Sequence, residues 1–439
     1  MEPMSDAGTA DAVVIGAGVI GSAVALELAR AGGSVVVVDK GPAAGAGSTS
    51  SSSAVIRYTY STWDGVVAAW ESHFLWEAWA HHLGVVDPDG MARFFKVGMV
   101  ILEMPGLDMG RIRGLLARAG VPFEDWDAAA IRARVPALDA GRFWPPRLPN
   151  DAEFWADPAG ELSAFFTPDA GFVDDPQLAA HNLMVAAKAQ GAEFRFRQRV
   201  VAIETAGDRV SGVALEGGEH IATPVVVNAA GPYSATVNEL AGVLADFNVR
   251  TRALRQEVHA VEAPPSFTVD DRGAVVADGD LGTYFRPHPG GTVIVGGVEA
   301  ECDPLIWIDD PDTADDQPTV DVWEAQVFRL ARRLPELKVP PQPRGLAALY
   351  DVSDDWIPIY DRTALDGFYV AIGTSGNQFK NAPMAGRFIA ALVDGCENGH
   401  DHDRTPVQVA CPHSGHTVDL GHYSRLRAHN PDSSNSVWG

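Results

Sequence analysis

The chain has 439 residues, is 46% hydrophobic, and sets 33 Lys and Arg against 58 Asp and Glu for a formal net charge of −25. That length can bury the cores of two domains, and so acidic a surface argues against nucleic acid and membrane surfaces as partners. Cys302, Cys396 and Cys411 stand at spacings that suit neither a disulfide framework nor a zinc site, and the first ten residues are polar and acidic, unlike a targeting peptide, so a cytoplasmic location is expected.

The most informative stretch is 13–39. An apolar strand runs into Gly16-x-Gly18-x-x-Gly21, a helical pattern follows, and a second strand over 35–38 ends in Asp39, 23 residues after Gly16. Gly16 permits a tight turn, Gly18 lets backbone N–H groups approach a pyrophosphate, and Gly21 lets helix and strand pack closely. A carboxylate at the end of the second strand accepts hydrogen bonds from ribose hydroxyls. The run is apolar enough to suggest a membrane span, but Glu27, Arg30 and several glycines interrupt it.

A small-residue loop covers 45–53. A helix is expected over 66–82, with Trp70, Trp76 and Trp79 at core spacing. Strands fall within 94–102, a helix over 109–119, and a Pro- and Asp-rich connection over 140–170. A helix over 176–190 carries Pro176 in its first turn. Strand patterns follow at 193–196, 200–205, 210–215 and 225–227, the last running into Asn228-Ala-Ala-Gly-Pro232. Further strands lie at 258–261, where His259 reads as a core histidine, and at 284–286 and 293–295. A helix spans 322–333, and the Pro-rich 339–343 reads as a domain crossing. A strand over 368–372 ends in Gly373-Thr-Ser-Gly-Asn-Gln-Phe-Lys380 and a helix follows over 382–393. Histidines 400, 402, 413, 416 and 422 fit no standard metal-ligand set, and no metal is expected.

The nucleotide-binding pattern is therefore spread over the N-terminal, middle and C-terminal parts. An NAD domain is usually one continuous block, so FAD is the better cofactor. The fold class expected is α/β (α+β overall): a Rossmann-like FAD domain over 1–88, 163–236 and 345–439, beside a substrate domain over 89–162 and 237–344 built on an antiparallel sheet.

With these motifs in place, the chain resembles the FAD-dependent D-amino-acid oxidase superfamily, and within it the sarcosine oxidase-like amine oxidoreductases. The resemblance rests on Gly16-x-Gly18-x-x-Gly21 with Asp39, on 47–60 (Gly-Ser-Thr-Ser-Ser-Ser-Ser-Ala-Val-Ile-Arg-Tyr-Thr-Tyr), on Asn228-Ala-Ala-Gly-Pro, and on 373–380. It implies that Arg57 and Lys380 hold a substrate carboxylate. Guanidinium and ammonium suit that task chemically: one is a planar fork, the other a point charge. Tyr284 and Tyr350 are candidates for contacting the amine or closing the pocket, and Arg286 is a weaker anion contact. Cofactor contacts are expected from Gly16, Gly18, Val19, Ile20 and Gly21; from Asp39 and Lys40; from Ser48 and Thr49; from Val201; from Ala230 and Gly231; and from Gly373, Gly376, Asn377, Gln378, Phe379 and Lys380.

Two departures from the family pattern matter. Ala348 stands where many sarcosine oxidases carry a flavin-linking Cys, and no His occurs in 47–57, so FAD is expected to be non-covalent. Alignment places Ile294 where the family's oxidases carry a Lys over the flavin, so O2 or an electron-transfer partner is the acceptor. The expected reaction is oxidation of the C–N bond of a secondary or N-methylated amino acid to an imine, then hydrolysis. A primary or D-amino-acid oxidoreductase, a hydroxy-acid dehydrogenase, and a non-catalytic or electron-transfer subunit of a hetero-oligomer stay open.

Overall fold

The computed structural model describes residues 8–105 and 107–438; the first seven residues, part of the polar stretch read above, lie outside them. Among the described residues two sheets dominate. The first has six strands in the order Glu193–Phe196, Val35–Asp39, Ala12–Ile15, Val226–Asn228, Phe368–Ile372 and Ile359–Arg362. All neighbours are parallel except the last pair. Ala12–Ile15 and Phe368–Ile372 are buried throughout, because helices cover one face of the sheet and a four-stranded sheet that includes Val200–Ala206 and Arg209–Leu215 packs on the other, so each strand needs apolar side chains on both faces. On one face Val19–Arg30 packs against the helices Pro176–Ala189 and Ala382–Glu397. Parallel pairing brings the carboxyl ends of strands from distant parts of the chain to one edge: Gly16, Asp39, Ala229 and Gly373 all fall there.

The second sheet has nine strands centred on Thr251–Glu262, which pairs with Thr292–Gly297, Gly345–Ser353 and Ile306–Ile308. Its pairs are antiparallel except Val275–Asp278 beside Met99–Leu102, so the sheet is mixed rather than purely antiparallel. Side-chain alternation sorts its two faces. Val276, Phe285, Val293 and Val295 pack with Trp323, Val327 and Leu330 of the helix Val320–Arg333. Met99, Val275, Ala277 and Tyr284 turn the other way, toward the first sheet and its helices.

Several elements differ from the sequence reading. The helix expected over 66–82 is two, Trp63–Glu77 and Trp79–Leu83, broken at Ala78; its three tryptophans are buried. The strand expected at 258–261 is part of the longer Thr251–Glu262, where Arg252, Arg255 and Gln256 hide the apolar alternation. Ala164–Thr167 and Gly345–Ser353, assigned by the expected boundaries to the cofactor domain, pair within the nine-stranded sheet. His259 is fully buried, with Nδ1 on Gln326 Oε1 at 2.9 Å. The tail histidines scatter onto separate partners, such as His413 on Glu71 and His402 near Asp361.

The first turn needs its glycines. Gly16 has φ +107°, and a Cβ there would lie 2.4 Å from the Ala229 carbonyl oxygen; at Gly21 a Cβ would lie 1.9 Å from the Gly16 oxygen. Gly21→Ala is therefore expected to push helix from strand, at a cost of about 1–3 kcal/mol or more. Thermal unfolding would show a lowered Tm, and the purified variant would carry less cofactor than the parent.

Candidate active site

A cavity of about 740 Å³ lies where the carboxyl edge of the six-stranded sheet meets the nine-stranded sheet. Its floor is the Gly-rich turn. Gly18 caps the helix Val19–Arg30 without a side chain, and the first turn holds no acid, so the positive end of the helix dipole is left for an anion. Thr49 Oγ1 accepts the Val19 N–H at 3.0 Å, and a Cβ on Gly18 would press within 3.2 Å of that oxygen. Asp39 closes the second strand and accepts the N–H groups of Ala17 and Gly41, each at 2.6 Å. Lys40 lies 3.4 Å from the centroid of the Tyr233 ring and pairs with Asp312, which also binds Arg199 and the Tyr233 hydroxyl, each at 2.9 Å. The bond from Lys40 and those from Tyr233 and Arg199 pull the Asp312 carboxyl down to about 2.

At the other end the wall carries two cations. Arg57 is 6% exposed and Lys380 3%. Arg57 follows the short strand Val55–Ile56, and Lys380 lies in the turn Phe379–Asn381 that leads into the helix Ala382–Glu397. Both stand beside the Tyr60 ring, with the guanidinium 4.8 Å and the ammonium 5.1 Å from its centroid. Tyr60 donates to the Asn377 carbonyl at 2.7 Å, and Lys380 Nζ donates to the same oxygen. Trp76 Nε1 holds the Lys380 carbonyl at 2.7 Å, which gives one of the core tryptophans a positioning role. Arg57 donates to Thr59 and, through Nη2, to the carbonyls of Val437 at 2.6 Å and Trp438 at 3.2 Å. Among the described residues neither cation has a carboxylate partner. Burial, together with the charge of Arg57, drives the Lys380 pKa well below its ordinary value. Burial lowers that of Arg57 as well, partly opposed by Tyr60.

Tyr284 and Tyr350 also line the cavity, and their hydroxyls interact. Tyr284 bonds Ser53 Oγ at 2.7 Å. Each ring lies against a glycine: a Cβ on Gly296 would meet Tyr284 at 2.5 Å, and one on Gly376 would meet Tyr350 at 2.2 Å. Met99, Val275, Ala277 and Val298 complete an apolar roof.

The structure thus brings together Arg57, Lys380, Tyr284 and Tyr350 with Gly16, Gly18, Val19, Ile20, Asp39, Lys40, Ser48, Thr49, Ala230, Gly231, Gly376, Asn377, Gln378 and Phe379. Three expected contacts do not line the cavity. Val201 is 42% exposed, because strand alternation turns its neighbour Val200 inward instead. Gly21 serves helix–strand packing. Gly373 has φ +65° and gives its N–H to Asp351 Oδ2 at 2.6 Å, at the seam between the sheets. Arg286 stays outside as well: its Nε donates to the Ser53 carbonyl at 2.7 Å and its guanidinium covers Phe172. Ile294 pairs with Arg286 in the ladder and does not line the cavity, so the alignment that set it over the ring is not supported. Sequence reasoning missed Tyr60, which it quoted without a role. It also missed Val437, Trp438 and Asp351, for which neither spacing nor composition gave a signal.

A dinucleotide fits this cavity chemically. Glycines clear the backbone, a helix start faces a would-be pyrophosphate, and a carboxylate stands at the ribose position. No Cys or His is among the described residues lining it, so none there offers the usual covalent link.

Comparison with known proteins agrees. The sequence model of a family described as FAD dependent oxidoreductase matches residues 11–392. A D-amino acid dehydrogenase of Cereibacter sphaeroides is 26% identical over 437 residues, covering 87% of this chain and 91% of that protein. A glycine oxidase of Geobacillus kaustophilus is 23% identical, covering 89% and 94%. In fold the chain is similar to the L-proline dehydrogenase of P. horikoshii, with a TM-score of 0.76, 22% identity and coverage of 96% and 98%. It is likewise similar to the L-amino acid deaminase of Proteus vulgaris, with a TM-score of 0.71, 18% identity and coverage of 98% and 99%. Acid precipitation of the purified yellow protein should leave all flavin in the supernatant. Asp39→Ala should retain less flavin after gel filtration, since it removes the acceptor at the strand end.

Proposed function

The chain belongs to the FAD-dependent oxidoreductase family, and from that premise we propose that it oxidises the C–N bond of a small amino acid gripped by its carboxylate. Secondary or N-methylated amino acids are the first reading. The observation that carries the proposal is the pair Arg57 and Lys380: two buried cations in one cavity wall, without an acid among the described residues to neutralise them. Burying an ion costs on the order of several kcal/mol, so a site of this kind is completed by an anion it binds. A carboxylate on Arg57 would take the place of the Val437 and Trp438 carbonyls.

The residues of the Gly-rich turn, with Asp39 and Thr49, would hold FAD. Bound there, FAD supplies the acceptor for a hydride from the carbon next to nitrogen, leaving an imine that water hydrolyses. Arg57 and Lys380 fix the substrate's orientation, and such positioning can lower a barrier by about 7–11 kcal/mol at best. The apolar roof of Met99, Val275, Ala277 and Val298 disfavours an ammonium, keeping the amine neutral, and it offers a surface for an N-alkyl group. Tyr284 and Tyr350, each packed against a glycine, line the same space.

A second reading, a primary D-amino acid as substrate, is supported by the relatives named D-amino acid dehydrogenase. Anaerobic bleaching of the flavin separates the two: N-methyl amino acids bleach it under the first reading, D-alanine alone under the second. Bleaching by no amino acid overturns both. Reoxidation in air then distinguishes O2 from a protein or quinone acceptor.

Arg57→Ala should raise KM for the carboxylate substrate about 10- to 100-fold, the value of a charge-assisted hydrogen bond, with flavin content retained. Loss of flavin in equal measure would make the residue structural. Lys380 yields a pH signature. Its pKa is lowered in the free site, and a bound carboxylate raises it again. Above the lowered pKa the substrate must bring a proton to Lys380, so affinity falls as pH rises and levels off below it. A plot of KM against pH should show this slope in the parent, and Lys380→Met should lack it.

A further inference from the structure

Val437 lies across the substrate end of the cavity, its carbonyl held by a guanidinium and its N–H by an acidic side chain. Its carbonyl accepts from Arg57 Nη2 at 2.6 Å, and its N–H donates to Glu299 Oε2 at 2.9 Å. One N–Cα–C=O unit thus reaches from a carboxyl group to a guanidinium. An α-amino acid joins its nitrogen to its carboxyl through the same single carbon.

Glu299 is unusual in itself. It follows the strand Thr292–Gly297 by two residues and has φ +55°, a left-handed backbone conformation that strains a non-glycine residue. Its other oxygen accepts only from the neutral Gln256 Nε2, at 3.1 Å. Among the described residues no cation pairs with it, and burial pushes its carboxyl up to about 8. Glu299 does not line the cavity; Val437, which does, lies on it. One end of the slot therefore carries an acid without a cation and the other carries cations without an acid, and a zwitterion answers both.

We propose that Glu299 receives the nitrogen of the amino-acid substrate, opposite Arg57, and that the Val437 backbone occupies this place until the substrate displaces it. This rests on the reading of the cavity as an amino-acid site. In its carboxylate form, which prevails above about pH 8, Glu299 then accepts a proton from the incoming ammonium: the N–H bond breaks, an O–H bond forms at Oε2, and the electron pair stays on nitrogen as the neutral amine. The same group separates amino acids from hydroxy acids and simple carboxylates, which bring it no cation.

The test uses flavin-loaded full-length protein and whichever amino acid bleaches it. Glu299→Gln should raise KM for that amino acid about 10-fold or more, the value of a hydrogen bond to a charged group. The inhibition constant of propionate, which has no nitrogen, should stay within about 2-fold of the parent value. Arg57→Ala should weaken both. Equal weakening of both ligands by Glu299→Gln, or of neither, overturns the assignment. Should that variant not retain flavin, Val437→Pro leaves Glu299 intact and removes the N–H it accepts. KM should then fall several-fold, and an unchanged KM overturns the proposal. Failure of every amino acid to bleach the parent enzyme would instead strike the underlying amino-acid reading, before either variant is made.

Discussion

The cavity lies between two sheets, and Asp351 fastens one to the other. This residue lies on Gly345–Ser353 of the nine-stranded sheet, yet its carboxylate accepts the Gly373 N–H at 2.6 Å and the Ser234 hydroxyl at 3.0 Å, both at the carboxyl edge of the six-stranded sheet. The backbone reinforces the seam: the Ser375 N–H donates to the Asp351 carbonyl at 2.7 Å, and Val352 forms a bridge with Thr374. Burial pushes the Asp351 carboxyl up to about 7, with its hydrogen bonds opposing the rise. The loop that carries Asn377 and Lys380 leaves from this seam, so the position of the buried ammonium follows from how Asp351 fastens Gly373.

Around that seam, charge is used in two ways. Where the chain needs rigidity, acids and bases are paired, as in Arg333 with Asp278 and Asp280, all three fully buried. At the far end of the cavity the acid Glu299 is kept apart from Arg57 and Lys380, and their polar needs are met by carbonyls, an amide and a backbone N–H. Neutral dipoles satisfy hydrogen-bonding capacity without cancelling charge. This wall therefore leaves charge uncancelled within the protein, at a cost in stability carried by the cores behind it.

Much of the cofactor end was legible in the sequence, because it is built from contiguous, strongly periodic segments. The strand, Gly16-x-Gly18-x-x-Gly21, helix, strand and Asp39 follow one another within one short segment, and each glycine answers a local steric demand. Arg57 and Lys380 were reached through motif resemblance, and the structure sets both beside the Tyr60 ring. Val201 was misplaced because a one-residue slip in a strand exchanges its faces. Ile294 was misplaced because an alignment across a hairpin does not fix which ladder positions reach the cavity.

The sequence alone determined the nucleotide-binding turn and the discontinuous arrangement of the sheet, since backbone sterics and hydrophobic period are local properties. Tertiary structure alone decided that Val437 lies between Arg57 and Glu299, residues separated by more than two hundred positions. It also decided that Tyr60 has two cations beside its ring, and that Asp351 fastens one sheet to the other. Such contacts come from strand order and register across distant segments, and no residue's near neighbours in the chain encode them.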